Sequence, residues 1–187
     1  MTPAIADPTR LLTVEEYVAL PDDGPPTELV RGRVVEGQFT YLYDGFVCSN
    51  IIGAVGSHVD SHRLGRTCVN VGVITERNPD TLRGADVCFY SYARLPAGPF
   101  PHDEYAPTAP DLIFEVVSAS DRWSQVLAKM TEYLTAGVTA VCVVNPRDQT
   151  AVVYRDNQNP EPVAADAELT LPDVLPGFRV PLREFFE

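Results

Sequence analysis

The chain has 187 residues, a length that suits one domain with one substantial hydrophobic core. Hydrophobic residues make up 45% and charged residues 21%, as in ordinary globular proteins, and no segment has the roughly 20 consecutive apolar residues of a membrane-spanning helix. The formal net charge of -12 argues against nonspecific attraction to nucleic acid, because that attraction depends on Lys and Arg neutralising phosphates.

The N-terminal twenty residues have neither a basic start nor a continuous apolar core, so no secretory signal is predicted and a cytoplasmic location is expected. We expect one domain over residues 1–187, with residues 1–11 as a flexible arm. Cys48, Cys68, Cys88 and Cys142 are widely separated among apolar neighbours, a pattern typical of free buried thiols rather than of disulfides or a zinc site.

The first predicted elements are a short helix, a hairpin and a longer helix. In "LLTVEEYVALPDD", Thr13 and Glu16 have the spacing of a capping box, which predicts a helix start. "TELVRGRVVEG" alternates into a hairpin around residues 31–32. From Gly45 to Leu64 the apolar residues recur at helical spacing, which predicts a second helix packed on a core.

The middle of the chain is predicted to form strands. "TCVNVGVITE" and "GADVCFYS" are interpreted as strands joined by the turn "RNPDTLRG". A proline-rich loop runs from Ala93 to Pro110, and "DLIFEVVS" is the next strand.

A third helix follows, capped by Ser118 or Ser120 and ended by Gly137. Its apolar stripe is expected to pack on the sheet, and it consists of Trp123, Leu127, Met130 and Leu134. "TAVCVVN" and "TAVVYRD" are further strands, and the tail forms short extended pieces. This order predicts an α/β (α+β-like) sandwich with a mixed central sheet and flanking helices.

Two acids interrupt apolar strands. Glu115 lies inside "DLIFEVVS", and Asp86 lies near the start of "GADVCFYS". A carboxylate inside a strand costs several kcal/mol unless it is paired, hydrogen-bonded or metal-bound. Two adjacent strands that each donate one acid would form an oxygen site suited to Mg²⁺ or Mn²⁺. The alternative is that Glu115 lies at an exposed sheet edge or pairs with an arginine.

Lys129 is the one lysine beside thirteen arginines. It shares the polar face of its helix with Gln125 and Glu132, so a solvated Lys–Glu pair is one interpretation. The other is that the chain keeps a compact, orientable ammonium where function needs it.

Five segments resemble the Uma-two family, a branch of the PD-(D/E)xK restriction-endonuclease-like superfamily. They are "TELVRGRVVEG", "GADVCF", "APDLIFEVVSASDR", "AKMTEYLTAGVTAVCVVNPRDQTAVVY" and "LPGFRV", and the similarity runs from about Leu12 to the C-terminus.

The resemblance implies a nuclease-type sandwich in which acids and one lysine surround Mg²⁺ or Mn²⁺. By position it assigns Asp86 and Glu115 to the metal, Lys129 to catalysis and Glu28 to the acid of the first hairpin. Val117 stands where the superfamily usually has its lysine, so that role passes to the helix residue Lys129.

The function implied by the resemblance is metal-dependent hydrolysis of phosphodiester bonds in DNA, by an endonuclease that acts as a homodimer. A catalytically silent binding or scaffold protein that retains the fold is the alternative. The presence of Asp86, Glu115 and Lys129 favours the enzyme, whereas the acidic net charge favours the alternative.

Overall fold

The structure is a computed structural model that describes residues 10–21, 24–37, 40–100 and 104–187. The first nine residues of the expected arm lie outside this part. The described α-helices are α1 (Val14–Val18), α2 (Leu42–His62) and α3 (Trp123–Thr135), and a 3₁₀ helix covers Leu182–Phe185. The described strands are β1 (Thr27–Val30), β2 (Arg33–Glu36), β3 (Gly65–Glu76), β4 (Thr81–Ser91), β5 (Leu112–Val116), β6 (Ala140–Asn145), β7 (Thr150–Tyr154), β8 (Glu161–Val163), β9 (Glu168–Thr170) and β10 (Arg179–Pro181).

Eight strands form one mixed sheet, in the order β2-β1-β4-β5-β6-β7-β8, with β3 paired to β4. The pair β5–β6 is parallel and α3 connects its strands, whereas the other pairs of this sheet are antiparallel. Strands β9 and β10 form a separate two-stranded sheet. The expected mixed central sheet with flanking helices is therefore confirmed.

Local sequence signals explain the first elements. The side chain of Thr13 accepts a hydrogen bond from the backbone of Glu16, and Glu16 caps Thr13 in return, so the expected capping box starts α1. The hairpin turn places Arg31 at φ 49° and Gly32 at φ 74°, as in a type I′ turn. A Cβ at Gly32 would lie 2.7 Å from the Cβ of Leu11, so this turn also needs glycine for space.

The two faces of the sheet bury different helices. Val47, Ile51, Val55 and Val59 of α2 pack with the C-terminal segment on one face. Met130 and Tyr133 of α3 pack on the other face. Strand β5 serves both layers because its side chains alternate: Leu112, Phe114 and Val116 join the α2 layer, and Ile113 joins the α3 layer.

The start of α3 differs from the sequence prediction. Its N-cap is Arg122 rather than Ser118 or Ser120, and the Ser118 backbone N–H instead donates to Asp121 in the preceding turn. The helix therefore begins at Trp123, four or two residues later than a cap at Ser118 or Ser120 predicts. Trp123 is the first residue of the helix and is 48% exposed, so its expected packing on the sheet is wrong.

Among the described residues, no helix is both long and apolar enough to cross a bilayer.

Candidate active site

A cavity of about 500 Å³ opens where β1, β4, β5, α2 and α3 meet. Among the described residues that line it, six are acidic and two are basic. The acidic residues are Glu28, Glu36, Asp44, Asp86, Glu115 and Asp121, and the basic residues are Arg83 and Lys129. An acidic excess in a concave site attracts cations, and all four residues predicted to form the site lie here.

Asp86 and Glu115 enter the cavity from adjacent antiparallel strands. The register pairs Val87 with Phe114, and the next step along both strands reaches Asp86 and Glu115. Side chains directly opposite each other in such a pair share one face of the sheet. Asp86 Oδ2 also accepts a 2.7 Å hydrogen bond from the Val116 backbone N–H, which holds this carboxylate against the end of β5.

Glu115 is 8% exposed, so the expected carboxylate inside a strand is buried rather than at an open edge. Lys129 Nζ donates to its Oε2 at 2.9 Å, and the Tyr133 hydroxyl donates to its Oε1 at 2.9 Å. The two donors are four residues apart and share one face of α3. Lys129 therefore points toward Glu115, and the solvated-face interpretation of this lysine is wrong.

Burial dominates the charge states around Glu115. It raises the pKa of Glu115 to about 7, with Asp86 raising it further and with Lys129 and Tyr133 opposing the change. Burial also raises the pKa of Asp86. For Lys129, burial alone would lower the pKa, but the charges of Glu115, Glu28 and Asp86 outweigh it and raise the pKa, so the ammonium persists.

Glu28 of β1 reaches the same group of charges from the side. Its Oε1 lies 3.6 Å from Lys129 Nζ and accepts a 2.8 Å hydrogen bond from the Gly84 backbone N–H. Its Oε2 accepts a 2.9 Å hydrogen bond from Arg83. Burial alone would raise the pKa of Glu28, but Lys129, Gly84 and Arg83 together hold it below its ordinary value.

Arg83 links Glu28 to Glu132 and extends this network of charged side chains. It donates to both oxygens of Glu132, at 2.6 and 2.9 Å, as well as to Glu28. A chain of contacts therefore runs from Tyr133 through Glu115, Lys129, Glu28 and Arg83 to Glu132, and it joins α3 to β1, β4 and β5. Bidentate Arg–carboxylate bonds of this kind fix orientation as well as charge.

Asp44 was missed by the sequence analysis. It lies in the first turn of α2, is 8% exposed and lines the cavity, and its Oδ2 is buried with no hydrogen-bond partner. Cys48 follows one turn later. Burial, together with the charges of Asp86, Glu115 and Asp44, raises the pKa of its thiol to about 12. The Cys48 thiol therefore interacts electrostatically with all three carboxylates.

Tyr133 and Arg83 were missed as well. Tyr133 follows Lys129 by four residues, a spacing that signals a shared helix face. Arg83 was assigned to a turn, whereas β4 already begins at Thr81. As the described side chains stand, no three His, Cys, Asp or Glu residues are grouped to hold one metal ion together.

The mixed sheet with helices on both faces defines an α/β protein. The family model Uma2, described as "Putative restriction endonuclease", matches residues 14–183, and the chain belongs to this family. No curated protein matches the chain. A solved structure, of "a putative nuclease belonging to DUF820 from Anabaena variabilis ATCC 29413", has the same fold, with a TM-score of 0.79 and 20% identity over 94% of this chain and 97% of that chain.

Proposed function

We propose that this protein is a metal-dependent endonuclease that hydrolyses phosphodiester bonds in DNA. One observation carries the proposal: the ammonium of Lys129 is bonded to the buried Glu115 in a cavity that Asp86 also lines. Two acids on adjacent strands can bind a cation, and one orientable ammonium can stabilise the negative charge that develops in phosphodiester cleavage.

The donor chemistry of the cavity fits Mg²⁺ or Mn²⁺. Both ions prefer carboxylate oxygens, and Mg²⁺ is usually held by one or two carboxylates together with water and substrate phosphates. Asp86 and Glu115 supply two such carboxylates from adjacent strands. The buried Oδ2 of Asp44, which has no hydrogen-bond partner among the described residues, adds a further carboxylate oxygen to the lining of the cavity.

Each residue has a part in the proposed reaction. Asp86 and Glu115 would bind the cation, which when bound supplies Lewis-acid charge beside the phosphate. Lys129 would orient the attacking water or stabilise the negative charge that develops on the phosphate oxygens. Tyr133 and Glu28 would hold Glu115 and Lys129 in place, since each makes a direct contact with one of them.

DNA as the substrate, and a homodimer as the acting form, are proposals that rest on the family. The net charge of -12 requires that contact with DNA be local rather than spread over the surface. In the cavity, a bound cation would offset part of the acidic excess and let a phosphate approach Lys129 and Arg83.

The experiment is a cleavage assay on single- and double-stranded DNA and RNA, with Mg²⁺, Mn²⁺ or EDTA. The wild type is expected to cut DNA with either metal and not with EDTA. Glu115→Gln and Asp86→Asn are expected to abolish cutting, because each amide keeps the shape of the side chain but loses the charge that binds the cation. Glu168→Gln, an exposed acid on β9, is the matched control and should retain activity.

The alternative function is a binding or scaffold protein that retains the fold. If no nucleic acid is cut with either metal while all the variants stay folded, the enzyme proposal fails and this alternative stands.

A further inference from the structure

Cys68 and Cys88 lie directly opposite each other on neighbouring antiparallel strands. The β3–β4 register pairs these two residues, between the pairs Thr67–Phe89 and Val69–Val87. Both side chains face the layer of α3, where Cys88 is 1% exposed and Cys68 is partly buried. All four cysteines of the chain are free thiols.

We propose that Cys68 and Cys88 are a modification site, at which a mild oxidant such as a peroxide converts the two thiols into a reversible disulfide. The inference is independent of the proposed nuclease function.

The backbone geometry suits this bond. Opposed residues of antiparallel strands have Cα atoms about 4.5–5.5 Å apart, within the range found for disulfides. Their Cβ atoms lie about 4.5–5.5 Å apart, whereas a disulfide needs about 3.5–4.5 Å. The strands must therefore approach by up to about 1 Å at this pair. Among the described strands, β3 is bonded on one side only, to β4, so it can make this movement.

The two cysteines differ in a way that assigns them separate roles. Cys68 is the more accessible of the two, since its side chain is only partly buried. Cys88 is 1% exposed, so an oxidant reaches it less readily. Cys68 is therefore the sulfur that meets the oxidant, and Cys88 is the sulfur that resolves the product.

The reaction balances with one peroxide. The Cys68 thiolate attacks a peroxide oxygen, the O–O bond breaks, and with one proton the products are a sulfenic acid and one molecule of water or alcohol. The Cys88 sulfur then attacks the Cys68 sulfur, the S–O bond breaks, and the hydroxyl leaves as water with the Cys88 proton. Two thiols are oxidised by two electrons in total, and a dithiol reverses the change by exchange.

The place of the bond connects it to the candidate active site. Asp86 lies two residues before Cys88 on β4, and alternation along a strand puts both side chains on the same face of the sheet. The disulfide would thus tie β3 to β4 beside one of the acids of the cavity.

Peptide mapping tests the proposal on the wild-type protein. Trypsin places the four cysteines in four different peptides, with Cys68 in 67–77 and Cys88 in 84–94. The reduced protein is treated with hydrogen peroxide, its remaining thiols are alkylated, and it is digested without reductant. The expected product is 67–77 linked to 84–94, with a mass about 2 Da below the sum of the two peptides, and it should disappear after treatment with dithiothreitol.

Two controls make the result specific to the fold. Cys68→Ser should abolish the linked peptide and leave Cys88 free for alkylation, whereas Cys142→Ser, buried on β6, should leave it unchanged. In urea the selectivity for this pair should disappear, because the strands no longer hold the two thiols together. The proposal is overturned if the native protein links Cys48 or Cys142 instead, or if Cys68 is oxidised only to sulfinic acid with no link to Cys88.

Discussion

Lys129 donates a 2.9 Å hydrogen bond to Glu115, and the two residues come from elements on different layers, α3 and β5. With 22% of the Lys129 side chain and 10% of the Glu115 side chain exposed, the pair is largely shielded from solvent. Each partner therefore depends on the other for its charge.

Replacing Lys129 should destabilise the protein through the acid that it leaves behind. Lys129→Met keeps the apolar stem but leaves Glu115 buried without its cation, which costs about 3 kcal/mol in comparable pairs. Adding Glu115→Gln to this variant should recover part of the loss, because the uncompensated charge is then gone. Urea unfolding in EDTA measures both effects, and Arg183→Met, an exposed base, should change stability by less than about 0.5 kcal/mol. Equal stability of the single and double variants would contradict this account.

The response of thermal stability to Mn²⁺ should depend on Glu115. An ion that binds only the folded state at about 100 times its Kd stabilises by about 2.7 kcal/mol, which for a chain of this size raises Tm by about 5–10 °C. Glu115→Gln should lose most of this increase. In EDTA the same variant should be as stable as the wild type or more stable, because Glu28 and Asp86 still compensate the Lys129 ammonium and repulsion between Glu115 and Asp86 is relieved.

Calorimetric scans with and without Mn²⁺ test these expectations, with Glu168→Gln as the variant that should behave like the wild type. An identical Mn²⁺ response in wild type and Glu115→Gln would show that any cation binds elsewhere.

The residues that the sequence identified are those that break a pattern. Glu115 and Asp86 interrupt apolar strands, and Lys129 is the one lysine among thirteen arginines. An acid inside an apolar strand costs free energy unless it is compensated, and a single lysine among arginines indicates a specific chemical use. Alternation along β5 puts Leu112, Phe114 and Val116 on the face of the sheet opposite Glu115.

Other members of the site break no pattern. Asp44 is an acid near a helix start, where acids are common and usually solvated, and only the packing of α2 beside the cavity buries it. Arg83 belongs to the site only because β4 begins at Thr81, and the ends of strands are harder to predict from sequence than their centres. The late start of α3 depends on the turn closed by Asp121, which competes locally with helix formation.

Asp80 is expected to make stability depend on pH at the acid end. Its Oδ2 accepts hydrogen bonds from the Val14 backbone N–H at 2.9 Å and from Arg77 at 2.6 Å, and its Oδ1 accepts one from the Asn78 backbone N–H. Burial alone would raise its pKa, but these bonds together lower it below the ordinary 3.8. Its contribution is therefore fully present above about pH 3.8 and is lost as the pH falls through the lower value in the folded state.

Asp80→Asn should thus cost about 1–3 kcal/mol near neutral pH, and the cost should shrink at about pH 3. Urea unfolding of both proteins at the two pH values measures the difference. A difference that does not change with pH would mean that the shape of the side chain, rather than its charge, holds the turn after β3.

Replacing Asp44 tests whether the cavity binds a cation. Its buried Oδ2 has no hydrogen-bond partner among the described residues, and its place in the first turn of α2 favours a negative charge by about 0.3–1 kcal/mol. Asp44→Asn removes the charge and should raise stability in EDTA by about 1 kcal/mol, because the cost of burying a carboxylate oxygen without a hydrogen-bond partner exceeds that helix contribution. A cation in the cavity would offset the negative charge of the wild type, so in Mn²⁺ the advantage of the variant should shrink or reverse. Asp60→Asn, an exposed acid on the same helix, should show neither effect. If Asp44→Asn is less stable in EDTA and its deficit is the same in Mn²⁺, Asp44 is a structural residue of α2 and the cavity does not use its charge.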